Sequence, residues 1–211
     1  GGVLFNLLFS AVAIILWWNF SANEYASIFL MLFALLGVLF ALMFGIPLKL
    51  FISNDGMNTV RLHGSIESRR IFANLLSVNA LVQEGMRPKD MPEEYFWLPD
   101  EIDFKDYFVI QQYNFVAGLC LDKEQYDDAY RMYSEQVAHK GEILELFYIE
   151  AVCEFVYLLL LRGDKEKAVE LLDNKVRMYI EQYGKVMSSK LRVQCAIALL
   201  MDDDEAKAIE I

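Results

Sequence analysis

Charged residues are distributed very unevenly along this chain of 211 residues. The segment 1–48 contains one charged side chain, Glu24, and every Lys and Arg of the chain lies beyond it. Such a boundary indicates that the two parts occupy different solvents, because charged side chains are strongly disfavoured in hydrocarbon. We therefore predict a transmembrane part over residues 1–64, followed by a part that lies in water.

Two apolar segments in the first part have the length of membrane-spanning helices. The second, residues 28–44, has no polar side chain, and the apolar sequence continues to position 48. A helix of about 20 residues crosses about 30 Å of hydrocarbon. We predict spans at about residues 1–18 and 28–48, with a buried core helix as the alternative for each.

Basic residues after the second span predict the orientation of this hairpin. Lys49, Arg61, Arg69 and Arg70 follow it, whereas the connector at 19–27 has no Lys or Arg. An excess of Lys and Arg marks the cytoplasmic side of a membrane. We predict a multi-pass protein of the cell membrane with both chain ends cytoplasmic. The chain lacks an initiator Met and begins inside an apolar segment, so it is expected to be an excerpt of a longer protein.

Helical periodicity continues through the second part of the chain. Residues 65–102 contain an amphipathic helix and a Pro-rich linker, and residues 103–211 contain helix pairs that repeat. The repeat interval is about 40 residues, within the range of known helical-repeat families. It relates Leu119, Leu159 and Leu199 and, in the second helix of each pair, Ala129, Ala168 and Ala208. The fold class predicted is all-α: a two-helix transmembrane hairpin followed by a cytoplasmic domain of α-helical hairpin repeats, with the third repeat truncated.

This repeat domain resembles a tetratricopeptide-type array in its helix pairs and in the small Ala where two helices approach. The resemblance is one of architecture, because the repeat interval is longer than that of the family, and the family's Trp, Gly and Tyr positions are absent.

Few residues of the second part suggest chemistry. His63 and His139 are the only histidines of the sequence and lie far apart in it, so both are predicted to be surface or interhelical residues. The three cysteines are each in an apolar helical stretch, where cysteine behaves as a small hydrophobic residue, and they are predicted to pack in the core: Cys120, Cys153 and Cys195. The sequence contains no Gly-rich phosphate loop and no nucleophile elbow.

Net charge restricts the partners of the chain. The formal charge is −11, and acidic residues also outnumber basic ones from Asp103 onward. An acidic surface repels phosphate groups, so nucleic acid and anionic lipid are disfavoured. A neutral or basic protein partner is predicted for the tail.

The segment Asn54-Asp55-Gly56 follows the second span and Pro47. From residue types alone it is a turn, because Asn and Gly tolerate left-handed backbone. Its position favours a second interpretation, since irregular backbone at the membrane boundary requires surrounding protein or water, and an ionisable group there is a candidate functional site. Both interpretations of Asp55 remain open at this point.

Three short motifs, in this order, resemble site-2-protease-type intramembrane zinc metallopeptidases. Residues 1–6 (GGVLFN) resemble the G-x-x-x-N entry of a membrane helix in that family. Ile46-Pro47 followed by Asn54-Asp55-Gly56 resembles the family's later segment, which contains Pro and ends in Asp-Gly. Residues 89–96 (KDMPEEYF) resemble a linker of bacterial members that carry a helical tail.

The resemblance implies a zinc site. In that family two histidines of an upstream H-E-x-x-H motif bind zinc, and the Asp of Asp-Gly is the third protein ligand, which corresponds to Asp55 here. Asn54 and Gly56 would support it, with Gly56 letting the backbone turn so that the carboxylate points at the metal. Asn6 would face the active-site cleft and position the substrate, or alternatively form an interhelical hydrogen bond.

Three functions are consistent with these observations. The first is the C-terminal part of a zinc metalloprotease that cleaves membrane-associated proteins, with a tail that recruits a substrate or regulator. This excerpt lacks H-E-x-x-H and is expected to be inactive alone. The second is a membrane-anchored adaptor without catalytic activity. The third is a subunit of a membrane complex such as a transporter.

Overall fold

The computed structural model describes residues 2–19, 23–47 and 54–211. Helices are the predominant secondary structure of these residues, which contain no strand. They form two compact units, residues 1–66 and 67–211, and the division falls near the predicted end of the transmembrane part. Gly1, Leu48 and Lys49, on which the span limits and the orientation partly depend, lie outside the described residues.

The first unit begins with two antiparallel helices, α1 (Gly2–Asn19) and α2 (Glu24–Gly45). Their interface consists of small residues, and three alanines lie there together with Ser10, which is 2% exposed: Ala13, Ala34 and Ala41. A Cβ built on Gly37 would lie 2.2 Å from Ser10 Oγ and 3.2 Å from the carbonyl oxygen of Asn6. Glycine is therefore required at this crossing, and small residues let the two backbones approach as membrane helices commonly do.

The outer faces of α1 and α2 are apolar and exposed. Leu4 is 74% exposed, Phe29 66% and Leu35 63%. At 1.5 Å per residue the 22 residues of α2 extend for about 33 Å. Both helices are long and apolar enough to cross a membrane. The predicted pair of apolar helices is thus present, and each begins within about one helical turn of its predicted start.

The chain continues into α3 (Asp55–Gly64), which completes the first unit, and α4 (Ile66–Gln83). Within the second unit the Pro-rich segment after α4 is not a free linker. It forms two short 3₁₀ turns, Pro88–Asp90 and Glu93–Tyr95. The carbonyl oxygens of Tyr95 and Trp97 accept hydrogen bonds of 2.8 and 2.9 Å from the Gln112 side chain, which is fully buried. The segment is therefore fixed to the helical domain by its backbone.

Seven further helices complete the second unit: α5 (Tyr107–Asp122), α6 (Tyr126–Ala138), α7 (Glu145–Leu161), α8 (Lys165–Leu171), α9 (Asn174–Gly184), α10 (Ser188–Ala196) and α11 (Glu205–Glu210). A π-helical stretch, Ile197–Met201, continues α10. Among the buried residues of the core are Phe155, Leu159 and Ala168. The second helix predicted for the pair that contains Ala168 is followed by a separate helix, because the Asp173 side chain accepts a hydrogen bond from the Val176 amide and starts α9.

Three residues with left-handed backbone follow α5, α7 and the π-helical stretch that continues α10. Glu124, Gly163 and Asp203 have φ angles of 59°, 79° and 54°, and they lie about 40 residues apart, which is the repeat interval predicted from the sequence. The residue after each donates its amide back into the preceding helix, over 2.8, 3.0 and 2.8 Å respectively. This geometry terminates a helix and redirects the chain.

Candidate functional site

Asn54 joins the end of α2 to the start of α3. Its side-chain Nδ2 donates to the carbonyl oxygens of Met43, at 2.9 Å, and Ile46, at 2.6 Å. Its Oδ1 accepts from the amide of Met57 at 3.0 Å, as the N-cap of α3. The carbonyl groups at the end of a helix and the amides at its start have no hydrogen-bond partner within the helix. The side chain of Asn54 thus supplies partners both at the end of α2 and at the start of α3.

Gly56 is required because two backbones approach closely. A Cβ at this position would lie 2.3 Å from the carbonyl oxygen of Gly45 and 3.0 Å from the carbonyl carbon of Ile46. Gly56 belongs to the first turn of α3 and does not have a positive φ angle. The left-handed turn suggested by the residue types is therefore wrong, and α3 is held against the end of α2 by a contact that excludes any side chain.

Asp55 lies between these two contacts, as the first residue of α3, and it is exposed. Negative charge is favoured at this end of a helix. The backbone on either side of Asp55 is held to α2, so the carboxylate has a defined position at the end of the apolar helix.

Asn6 lies at the same end of the hairpin. A Cβ on Gly45 would be 3.1 Å from the side chain of Val3, and Asn6 follows Val3 by less than one helical turn. Asn6 is half-buried, and its carbonyl oxygen accepts a 2.7 Å hydrogen bond from Ser10. The first unit therefore brings Asn6 and Asn54-Asp55-Gly56 to one end of α1 and α2.

The described residues do not form a complete metal site, since none of their His, Cys, Asp and Glu side chains cluster in threes. His63 is in the last turn of α3, about 12 Å along the helix from Asp55. His139 belongs to the second unit, where its ring stacks on Phe104. The chemistry of Asp55 nevertheless suits one position of a zinc site, because an exposed carboxylate is a normal zinc ligand.

The expected effect of Gly56→Ala follows from the contact with Gly45. The new methyl group has to displace α3, and overpacking of this kind costs about 1–3 kcal/mol. We expect the amide of Met57 to exchange with deuterium faster, because the hydrogen bond to Asn54 is disrupted. Gly64→Ala is the matched control, since nothing lies within 4 Å of its added Cβ. An equal rate of deuterium exchange at the Met57 amide in both variants would contradict the close contact between Gly56 and Gly45.

Of the three cysteines, Cys153 is completely buried in α7, and Cys120 and Cys195 are half-buried. Burial raises the pKa of the Cys153 thiol to about 12, despite the nearby positive charge of Lys190. Burial also raises the pKa of Cys120. A buried thiol that remains protonated is a poor nucleophile.

The raised pKa of Cys153 predicts its reactivity. We expect iodoacetamide to leave Cys153 unmodified in the folded protein at about pH 8 and to modify it after unfolding, because the thiolate forms in quantity only near pH 12. Mass spectrometry of the alkylated peptides measures this directly. Rapid alkylation of folded Cys153 would show that the thiol is accessible and ionised.

A buried ionic cluster was not anticipated from the sequence. The Lys190 side chain is 0% exposed, and its Nζ lies 2.6 Å from a Glu150 oxygen and 3.2 Å from a Glu154 oxygen. Arg192 also pairs with Glu154, and the Tyr179 hydroxyl donates to Glu150. Two signals were available: Glu154 interrupts the apolar run of α7, and Lys190 follows Glu150 at the interval of the sequence repeat.

Comparisons of the chain with models of known protein families, with curated proteins and with solved structures found no match.

Proposed function

We propose that this chain is the C-terminal part of a membrane-embedded zinc metalloprotease of the site-2-protease type, with a cytoplasmic helical tail that binds a substrate or regulatory protein. The observation that carries the proposal is the attachment of Asn54 and Gly56 to the end of α2. It gives Asp55 a defined position at the end of an apolar helix. A metal ligand requires such preorganisation.

The membrane setting of the proposal is supported by the surfaces of α1 and α2. Their exposed apolar side chains would be unfavourable in water and are favourable in hydrocarbon. Arg61, Arg69 and Arg70 follow α2 and favour a cytoplasmic location for the second unit. Asp55 then lies at the cytoplasmic end of α2.

Each residue of the site has one role in the proposal. Asp55 is the third protein ligand of zinc, and two histidines of an H-E-x-x-H helix that precedes this sequence in the longer protein are the others. Bound zinc supplies a water molecule whose pKa is lowered towards about 7. Asn54 and Gly56 position Asp55 by fixing its backbone. Asn6 positions the substrate with its side chain.

The tail is proposed to be a repeat domain. The left-handed residues Glu124, Gly163 and Asp203 support this, because they recur at the interval that the sequence predicts. Stacked helix pairs form extended surfaces that suit protein partners.

The proposal is tested by the coding sequence upstream of Gly1 and by proteolysis. An H-E-x-x-H motif within an apolar segment is expected there. The longer protein, reconstituted in lipid vesicles with a single-span reporter protein, is expected to cleave the reporter and to stop when a zinc chelator is added. Absence of the motif from the complete reading frame, or cleavage that a chelator leaves unchanged, would contradict the proposal.

A membrane-anchored adaptor is the second candidate, and one observation favours it. Asp55 is exposed in the first turn of α3, a position where the helix dipole stabilises an acidic residue without any metal. Under this alternative the longer protein has no H-E-x-x-H motif, and replacing Asp55 leaves partner binding unchanged.

A further inference from the structure

A cavity of about 360 Å³ opens in the second unit between α4, α5 and α7, with Tyr133 of α6 also lining it. Its volume is within the range of about 300–1,000 Å³ that is typical of ligand pockets. Apolar walls are provided by Leu75 and Val78 of α4 and by Phe115 and Phe147. No role in the zinc site involves this cavity.

The polar groups of the cavity are held in fixed orientations. Asn114, which lines it, accepts a 2.7 Å hydrogen bond at Oδ1 from Nε2 of the fully buried Gln136. This hydrogen bond orients Oδ1 of Asn114 towards Gln136, so that the Nδ2 group of Asn114 can donate to other acceptors. Gln136 itself does not line the cavity, so it acts on the cavity only by orienting Asn114.

Tyr133 adds a neutral hydroxyl. Its side chain lines the cavity although the residue is only 4% exposed. Burial, and then the negative charge of Glu154, raise the pKa of this hydroxyl well above its ordinary value of 10.0. Tyr133 therefore stays protonated and uncharged at physiological pH.

The acidic residues of the cavity are already neutralised. Glu150 and Glu154 both line it, and they pair with Lys190 and Arg192. Two carboxylates thus face two cations, and the cavity has no unbalanced charge to attract an ion. Burying a charged ligand there would carry a desolvation cost that nothing compensates.

We propose that this cavity binds an uncharged, extended segment of a partner protein, with one apolar side chain between the α4 and α7 walls and backbone amides hydrogen-bonded to Asn114 and Tyr133. Peptide backbone is favoured because it presents an N–H donor and a C=O acceptor together, as carboxamide side chains do. The inference rests on the protein-binding role of the tail and names the site and the chemistry of the partner.

The test uses the full chain in nanodiscs of neutral lipid and a phage-displayed library of random short peptides. We expect selection of peptides in which an apolar residue is flanked by uncharged residues. Asn114→Ala removes a hydrogen bond and should weaken their binding about tenfold. Tyr133→Phe should weaken it similarly, and Leu75→Trp, which fills the cavity, should abolish binding. Gln182→Ala, on the exposed surface of α9, is the matched control and should bind normally.

The inference is overturned if no peptide is selected, if the selected peptides are acidic or basic, or if they bind the Leu75→Trp variant as well as wild type. Circular dichroism during thermal unfolding checks that each variant is folded, and Tyr133→Phe keeps the shape of the ring if another variant fails to fold. Zinc-dependent cleavage is measured separately. If cleavage is intact but no peptide binds, only the inference about the cavity is refuted. If peptides bind but no cleavage occurs, the protease proposal is refuted and the peptide-binding site is retained.

Discussion

Replacing Asp55 with asparagine in the longer protein is expected to abolish zinc-dependent cleavage of a membrane reporter. Asparagine keeps the shape of the side chain but lacks the negative charge of a carboxylate ligand. Loss of a residue beyond the ligand shell commonly costs about 10- to 100-fold in metal affinity or activity, so loss of a direct ligand is expected to reduce cleavage by about 100-fold or more. Asn54 and Gly56 should keep the hairpin intact in this variant.

Glu24→Gln is the matched control for Asp55→Asn. Glu24 is also an exposed carboxylate in the first turn of a helix, but it begins α2 and lies at the opposite end of the hairpin. Its replacement is expected to leave cleavage unchanged. Both variants should insert into membranes equally well, as measured by their resistance to alkaline extraction. Equal loss of cleavage in both variants would point to a general effect of charge, and retained cleavage in Asp55→Asn would refute the ligand role.

Lys190→Met is expected to destabilise the second unit by about 3–5 kcal/mol, because it leaves buried carboxylates without their cation. Among the residues that the structure describes, Glu154, with 9% of its side chain exposed, then keeps Arg192 as a cation, and Glu150 keeps the hydroxyl of Tyr179. Chemical unfolding monitored by circular dichroism measures the change. Lys175→Met removes an ion pair whose two partners are more than half exposed, and it should cost no more than about 1 kcal/mol.

Two further results distinguish the buried cluster from ordinary packing. Combining Lys190→Met with Glu150→Gln should restore part of the stability, because residue 150 then carries no charge and Glu154 still pairs with Arg192. If this double variant is no more stable than Lys190→Met, lost packing is the cause and the electrostatic account is wrong.

The contribution of Lys190 also depends on pH. Burial lowers the pKa of its ammonium group, but the negative charges of Glu154 and Glu150 outweigh this and raise it above 10.5. A raised pKa in the folded state means that the stabilisation is fully present below the unfolded value and is lost as pH rises through the folded value. The difference in unfolding free energy between wild type and Lys190→Met should therefore be constant through neutral pH and decrease above about pH 10.5.

Local sequence patterns predicted most of the helices but few of the contacts between them. The apolar segments predicted α1 and α2, and α4 lies within residues 65–102, where an amphipathic helix was predicted. The break before α9 was missed, because Asp173 starts a helix there without any Pro or Gly to mark it. A single Asp within an apolar pattern is too weak a signal to divide a helix.

The candidate site shows the same limit. Residue types identified Asn54, Asp55 and Gly56, but the reason for glycine came only from the structure, where the backbone of Gly45 lies against it. The pairing of Lys190 with Glu150 was likewise hidden, because two residues so distant in sequence meet only after α7 and α10 have packed. Such contacts depend on how whole helices are arranged, and the local periodicity of the sequence does not predict that arrangement.

Direct metal analysis of the longer protein, purified in detergent without chelator, is the most decisive measurement. Wild type and Glu24→Gln are expected to contain one zinc ion per chain, and Asp55→Asn only a small fraction of that amount while its helical content is unchanged. Wild-type protein that contains no zinc, or Asp55→Asn protein that keeps its full zinc content, would contradict the assignment of Asp55 as a metal ligand.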